Sequence, residues 1–261
     1  MTEKLYYTIT NAKEKHNGFQ YKDGLNVLEK EFDPSLDYCA NELYFSDIEH
    51  IFDFIEFGIY VREITLPIDN AEFKIVRLDN KYRANMIILG KQYRLNNIET
   101  MKMLSDRGAK MNKDNLLLWS AQNCYWHLVK YFIDQGANIH ANNDQILIYC
   151  VVHGTVKTIE YLIRHGIDIH ANDDRILIYC IKNGSFEMVK YLIDNGANIH
   201  AEYDYALRSY AAKGDLAAVK YLVAHGADLH VLFIAALLII ARGEHDDLIE
   251  YLINEGFAIK E

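Results

Sequence analysis

Proline is close to absent: Pro34 and Pro67 are the only two in 261 residues. Both lie outside the repeat array described below, so the array carries none of the residue that breaks helix interiors. Cysteine is also scarce. The four present, Cys39, Cys124, Cys150 and Cys180, form no Cys-x-x-Cys pair, which excludes a disulfide scaffold and points to a reducing intracellular compartment. Positive charge is in deficit, with 27 basic against 37 acidic residues and a formal net charge of -10, which disfavours partners bound through phosphate. Nucleic acid is therefore not an expected partner. The longest apolar run, residues 231–241, is eleven residues, short of the ~20 that span a bilayer as a helix. The amino terminus, MTEKLYYTIT, lacks the basic, apolar and small-residue regions of a secretion signal. No Gly-rich phosphate loop, His-Glu-x-x-His or Gly-x-Ser-x-Gly is present, and no cofactor is expected. What remains, 51% hydrophobic and 25% charged, is the composition of an ordinary globular chain of one or two domains.

The dominant positive signal is internal repetition. YFIDQGANIH begins at 131, YLIRHGIDIH at 161, YLIDNGANIH at 191, YLVAHGADLH at 221 and YLINEGFAIK at 251, a spacing of thirty each time. A weaker copy, MLSDRGAKMN, begins at Met103 and places the start of the array near residue 85. Each period reads as a helical pair. Asp114, Asp144, Asp174 and Asp204 precede apolar runs, where a carboxylate can accept from unpaired amides, and are expected to be N-caps. Gly136, Gly166, Gly196, Gly226 and Gly256 follow the second helix, where a left-handed residue closes its last carbonyls.

This unit resembles the ankyrin repeat, two antiparallel helices followed by a turn of the Gly226-Ala227-Asp228-Leu229 type. Tyr205-Ala206-Leu207-Arg208 stands where the family usually has Thr-Pro-Leu-His, and only the Leu is kept in Gln145-Ile146-Leu147-Ile148 and Arg175-Ile176-Leu177-Ile178. A period of thirty, where the family's is ~33, predicts a mostly α solenoid with shortened fingers over 85–261. Residues 1–84 are similar to the amino-terminal module of ankyrin proteins of giant DNA viruses of the mimivirus type. That resemblance rests on His16-Asn17-Gly18-Phe19-Gln20-Tyr21, Gly24-Leu25-Asn26, Leu43-Tyr44-Phe45, Gly58-Ile59-Tyr60 and the run from Arg83 to Gly90. Read directly, this module is α+β. Leu5 to Thr10, Ile59 to Leu66 and Phe73 to Leu78 are β-rich, and Ser46-Asp47-Ile48-Glu49 fits a capping box that launches a helix.

Chemistry-bearing residues recur in register. His140, His170, His200 and His230 form a ladder, but repeats stack about 10 Å apart, whereas nitrogens sharing a zinc sit ~2 Å from it. Hydrogen bonding within the turns is the expected role, with no metal. The same spacing keeps Cys150 and Cys180 from bridging and makes them core residues. The tyrosines at 131, 161, 191, 221 and 251 are expected to pack repeat on repeat. Leu43-Tyr44-Phe45-Ser46-Asp47, downstream of His16-Asn17-Gly18, is faintly similar to segments of ADP-ribosyltransferases, but about 84 residues are too few for the nucleotide cleft that family needs.

Stacked helical pairs create one continuous surface, so the expected function is non-enzymatic protein recognition. Alignment with the ankyrin pattern lines the groove with Trp119, Tyr149, Tyr179, Ser209 and Ile239, then Gln122, Val152, Lys182, Ala212 and Arg242 one turn on. Trp and Tyr bring large area, few rotors and a polar handle. Fingertips Asn143, Asp173, Tyr203 and Phe233 form the expected rim. The apolar run including Val231, Leu232, Phe233, Leu238 and Ile239 needs a cover, and homodimerisation through it is the alternative, a structural role. A cryptic amino-terminal enzyme ranks third. The resemblance implies a host or viral protein as partner within an infected cell, in the cytoplasm, nucleus or virion.

Overall fold

The structure, a computed structural model, describes residues 4–16, 18–35, 42–183, 185–232 and 245–255, without the side chains of residues 16, 142–144 and 171–173. The chain divides into two compact units, residues 1–138 and 139–261.

The first unit opens with strands β1 (Tyr6–Thr10), β2 (Lys15–His16), β3 (Phe19–Gln20), β4 (Gly24–Val27) and β5 (Leu43–Phe45). A 3-10 helix over Ile48–Phe57 leads to β6 (Tyr60–Thr65), β7 (Ile75–Leu78), β8 (Lys81–Ala84) and β9 (Met86–Arg94). One antiparallel sheet has the order β1-β6-β9-β4, a second β5-β8-β7, and β2 pairs with β3. The chain changes sheets at Asn85, between β8 and β9. Tyr7 and Ser46 bridge β1 to the end of β5 through Tyr7 N to Ser46 O at 2.9 Å and Ser46 N to Tyr7 O at 2.8 Å. The two sheets therefore share one core, in which Leu43, Ile64, Ala84 and Ile87 are fully buried. Each of these larger aliphatic side chains contributes about 1.5–3 kcal/mol by leaving water. Beside them Arg83, with no exposed surface, pairs with Glu42 at 2.7 Å and donates to the Asp33 and Pro34 carbonyls at 2.9 and 3.1 Å.

The three expected β-rich stretches are strands, within a residue or two of their predicted ends. The capping box at Ser46 is corrected. Ser46 is committed to the β-bridge with Tyr7, its hydroxyl has no partner among the described residues, and Glu49 instead pairs with Lys110 at 2.8 Å, which lowers the Glu49 pKa. The sheet also runs to Arg94, ten residues past the expected 84/85 boundary, because β9 is hydrogen-bonded on both sides, to β6 and β4.

Helices then take over, with α1 (Ile98–Asp106), α2 (Lys113–Gln122) and α3 (Trp126–Asp134) completing the first unit. The second unit contains α4 (Ala141–His153), α5 (Val156–Arg164), α6 (Ala171–Asn183), α7 (Phe186–Asp194), α8 (Ala201–Ala212) and α9 (Leu216–Ala224), then, after a 3-10 turn at Leu229–Leu232, α10 (Asp246–Asn254). Only six residues, His165–His170 and Asn195–His200, join each second helix to the next first helix, without a strand, as the short period predicts. Helix ends follow the glycine pattern. Gly136, Gly166, Gly196 and Gly226 have φ between 81 and 99°, and the amide after each reaches back five residues, as from Ala197 to Leu192 O at 3.0 Å. This is the Schellman closure.

The repeated aspartates behave differently from expectation. The carboxylate of Asp114 accepts the Asn138 amide at 2.7 Å, Asp174 that of Asn198 at 3.0 Å and Asp204 that of Asp228 at 3.1 Å. Each reaches 24 residues along the chain into the next turn rather than capping its own helix. In α2 the capping falls to Asn112, whose side chain accepts from the Asn115 amide at 3.1 Å. Asp144 has the same register, but its side chain lies outside the described residues. Asp174 and Asp204 are 7% and 5% exposed. His170 Nδ1 lies 2.9 Å from Asp174, and His200 Nδ1 lies 3.0 Å from Asp204, which supplies the expected turn bonding at those two rungs.

Candidate recognition surface

Within the second unit α4 packs on α6, and α6 on α8, so the first helices form a continuous layer. One face of that layer is core. Leu147, Cys150 and Val151, then Leu177, Cys180 and Ile181, then Leu207, Tyr210 and Ala211 are all buried. Cys150 and Cys180 are not joined in a disulfide, and burial pushes the Cys180 thiol up to about 12. Burial likewise pushes the Tyr210 hydroxyl up to about 12.

The opposite stripe follows helical spacing, i, i+4 and i+7. It brings Gln145, Tyr149 and Val152, then Arg175, Tyr179 and Lys182, then Tyr205, Ser209 and Ala212 into successive rows. Of the predicted groove residues, Tyr149, Val152, Tyr179 and Ser209 are half-buried and Lys182 and Ala212 exposed. Tyr205, which sequence alignment did not single out, lies between two cations, with Lys182 Nζ 5.3 Å and the Arg208 guanidinium 5.7 Å from its ring centre. Arg208 also donates to the Tyr203 and Glu202 carbonyls at 3.0 and 2.8 Å. It thereby steadies a turn in which Glu202, Tyr203 and Asp204 all have positive φ.

Trp119 requires correction. It belongs to the first unit, is 3% exposed and packs against Tyr125 with ring centres 5.4 Å apart, so its area is spent inside the protein. Only its edge, with exposed Gln122, borders a cleft of about 310 Å³ between α2 and the 3-10 helix, also lined by Phe52, Ile55, Glu56 and Lys110. On the rim, Tyr203 is 87% exposed. The side chains of Asn143 and Asp173, and all of Phe233, Leu238, Ile239 and Arg242, lie outside the described residues. Of the expected self-association residues, Val231 is half-buried and Leu232 fully buried. Leu43 and Phe45, in the fragment weighed for enzymatic chemistry, are core residues of β5. Among the described residues no cluster of three His, Cys, Asp or Glu is placed to hold a metal, and no helix is long and apolar enough to cross a membrane.

The tyrosine ladder lies on the second helices and is half-buried at all five positions. Tyr221 shows how it packs. Its hydroxyl donates to Asp194 at 2.7 Å, its ring meets Phe186 edge-on at 5.6 Å, and desolvation followed by the Asp194 bond raises its pKa.

A family model for ankyrin repeats in three copies matches residues 91–173 and 171–232. The chain belongs to the ankyrin-repeat family. Its relatives include proteins of Acanthamoeba polyphaga mimivirus. R868, which carries an ankyrin-repeat name, is 42% identical over 144 residues, covering 54% of this chain and 72% of that one. R869, an uncharacterized protein, is 46% identical over 135 residues, 49% of this chain and 97% of that one. R838, also named for ankyrin repeats, is 40% identical over 153 residues, 52% and 54% of the two chains. The resemblance to giant-virus ankyrin proteins is thus matched by sequence, and in the structure strands are followed by the repeats.

Proposed function

We propose that this ankyrin-repeat chain is a non-enzymatic recognition module that binds a host or viral protein inside an infected cell, through the outward stripe of its first helices. The observation that carries the reading is the row of half-buried tyrosines, Tyr149 and Tyr179, on helices locked to one another by the core and the aspartate clasps. Such rings offer contact area with little rotor entropy left to lose, the property that concentrates binding energy at interface centres. Val152, Lys182 and Ser209 beside the tyrosines complete the surface. Tyr203 stands at its rim.

Affinity capture from infected-cell lysate, comparing the parent with a Tyr149→Ala/Tyr179→Ala variant, tests this. Trp119 is left intact because it is core. A partner held by the parent and lost by a variant that melts within a few degrees of it supports the reading. Equal capture by both proteins overturns it.

A further inference from the structure

The first-helix segments that carry the outward stripe are segregated in charge. The formal charge of the whole chain is -10, yet the first-helix segments 145–153, 175–183 and 205–213 contain no carboxylate at all. Their charged residues are Arg175 and Lys182, on the stripe, and Arg208 and Lys213, which flank it, all cationic and all exposed. None of the four is in a salt bridge among the described residues, whereas on the second helices Arg164 pairs with Glu160 and Lys190 with Glu187. Lys182, Arg208 and Lys213 lie instead over the rings of Tyr205 and Tyr210. Cations held against aromatic faces without a counter-carboxylate keep their charge available to an incoming anion while their stems stay ordered.

We propose that the partner bound by this surface is a protein segment rich in Asp and Glu, lying extended across α4, α6 and α8. This rests on the reading of the stripe as the recognition surface and adds the chemistry of its occupant. The spacing suits such a segment. Arg175 and Lys182 are seven residues apart on one helix, about 10.5 Å at 1.5 Å per residue, and neighbouring helices are about 10 Å apart. An extended chain advances ~3.3 Å per residue, so acidic side chains about three residues apart reach a cation on α6 and one on α8 as the chain crosses from one helix to the next. Tyr149, Tyr179 and Tyr205 supply apolar contact between them. A nucleic acid would meet the same cations, but the remainder of the chain is strongly anionic, which favours a short acidic segment over a long polyanion.

The test is selection from a displayed library of random peptides of about twelve residues, long enough to cross three stacked repeats. The baits are the parent, Tyr149→Ala/Tyr179→Ala and Arg175→Glu/Lys182→Glu, each checked by thermal melting. Arg208 is spared because it steadies the turn at 202–204. Acidic peptides enriched on the parent, lost on the tyrosine variant and weakened about ten-fold or more by charge reversal are the expected result. Neutral or basic peptides that are lost on the tyrosine variant but indifferent to charge reversal would overturn the acidic partner while leaving the recognition surface standing. Peptides indifferent to both variants, or no enrichment, would overturn both. Displacement of the selected peptide by single-stranded DNA at equal charge concentration would also overturn the proposal, in favour of nucleic acid.

Discussion

Removing the Asp204 carboxylate should do its damage in the following repeat. Its oxygen accepts the Asp228 amide at 3.1 Å and faces His200 Nδ1 at 3.0 Å, and the residue is 5% exposed. Hydrogen bonds to a charged acceptor contribute about 1.5–3 kcal/mol, so Asp204→Ala should cost about 2–3 kcal/mol. Asp204→Asn retains an acceptor oxygen but loses the charge, and should cost about 1 kcal/mol. For a chain of this size each kcal/mol lowers Tm by roughly 2–4 °C, giving a fall of about 4–12 °C for the alanine variant. Stability alone does not separate this role from ordinary helix capping, because losing a cap costs about 1 kcal/mol too. Amide hydrogen exchange does. With the clasp gone, the Asp228 amide should exchange faster by about 30-fold, the factor that ~2 kcal/mol represents. The Asn198 amide, held by Asp174 at 3.0 Å, should keep its protection. Faster exchange confined to residues 206 and 207, with Asp228 unchanged, would refute the clasp and restore the N-cap.

Four further outcomes are expected. A Cβ on Gly58 would sit 2.0 Å from the Thr10 carbonyl oxygen, so Gly58→Ala should break the edge between β1 and β6 and cost at least about 3 kcal/mol in urea unfolding; a loss under about 1 kcal/mol would show that the backbone yields easily. Cys124 is exposed and held at φ 59°, in register with Gly214 at 71°, so Cys124→Gly should stabilise the protein by about 1 kcal/mol. In the native parent Cys124 should react with iodoacetamide while Cys150 and Cys180 stay protected, as read by peptide mass mapping. Because the Tyr210 hydroxyl is raised from 10.0 to about 12 by burial, the unfolded chain loses that proton first. Its stabilising contribution is present below pH ~10 and is lost as pH rises toward ~12. Tyr210→Phe should flatten part of that alkaline decline in urea midpoint.

The repeats were legible because their signals are local and recur. Glycine at a left-handed helix end has one good explanation, and its return every thirty residues makes the periodic fold plain. The strands of the first unit were legible for a similar reason, since β-rich alternation survives in five or six residues. What the sequence hid were choices among partners. An aspartate before an apolar run can cap its own helix or reach the next turn, and only the stacking of repeats selects between them. Trp119 stands in register with Tyr149 and Tyr179, yet Tyr125 covers it, a contact that no spacing rule reveals. At the expected 84/85 boundary β9 follows β8 with a single residue between them, so the change of sheets leaves no composition break. The charge segregation of the first helices beyond their opening turns was present in the sequence all along. It becomes visible once the structure shows that residues 145–153, 175–183 and 205–213 share a layer whose outward faces align.

The most direct test of the account is site-specific photocrosslinking in infected cells. A photoreactive phenylalanine analogue in place of Tyr179 or Lys182 probes the first-helix stripe, and the same group at Lys157 or Lys220, both exposed on second helices, probes elsewhere on the array. The account predicts one shared protein adduct from positions 179 and 182 and none from 157 and 220. An adduct formed from 157 or 220, with 179 and 182 silent, would contradict it.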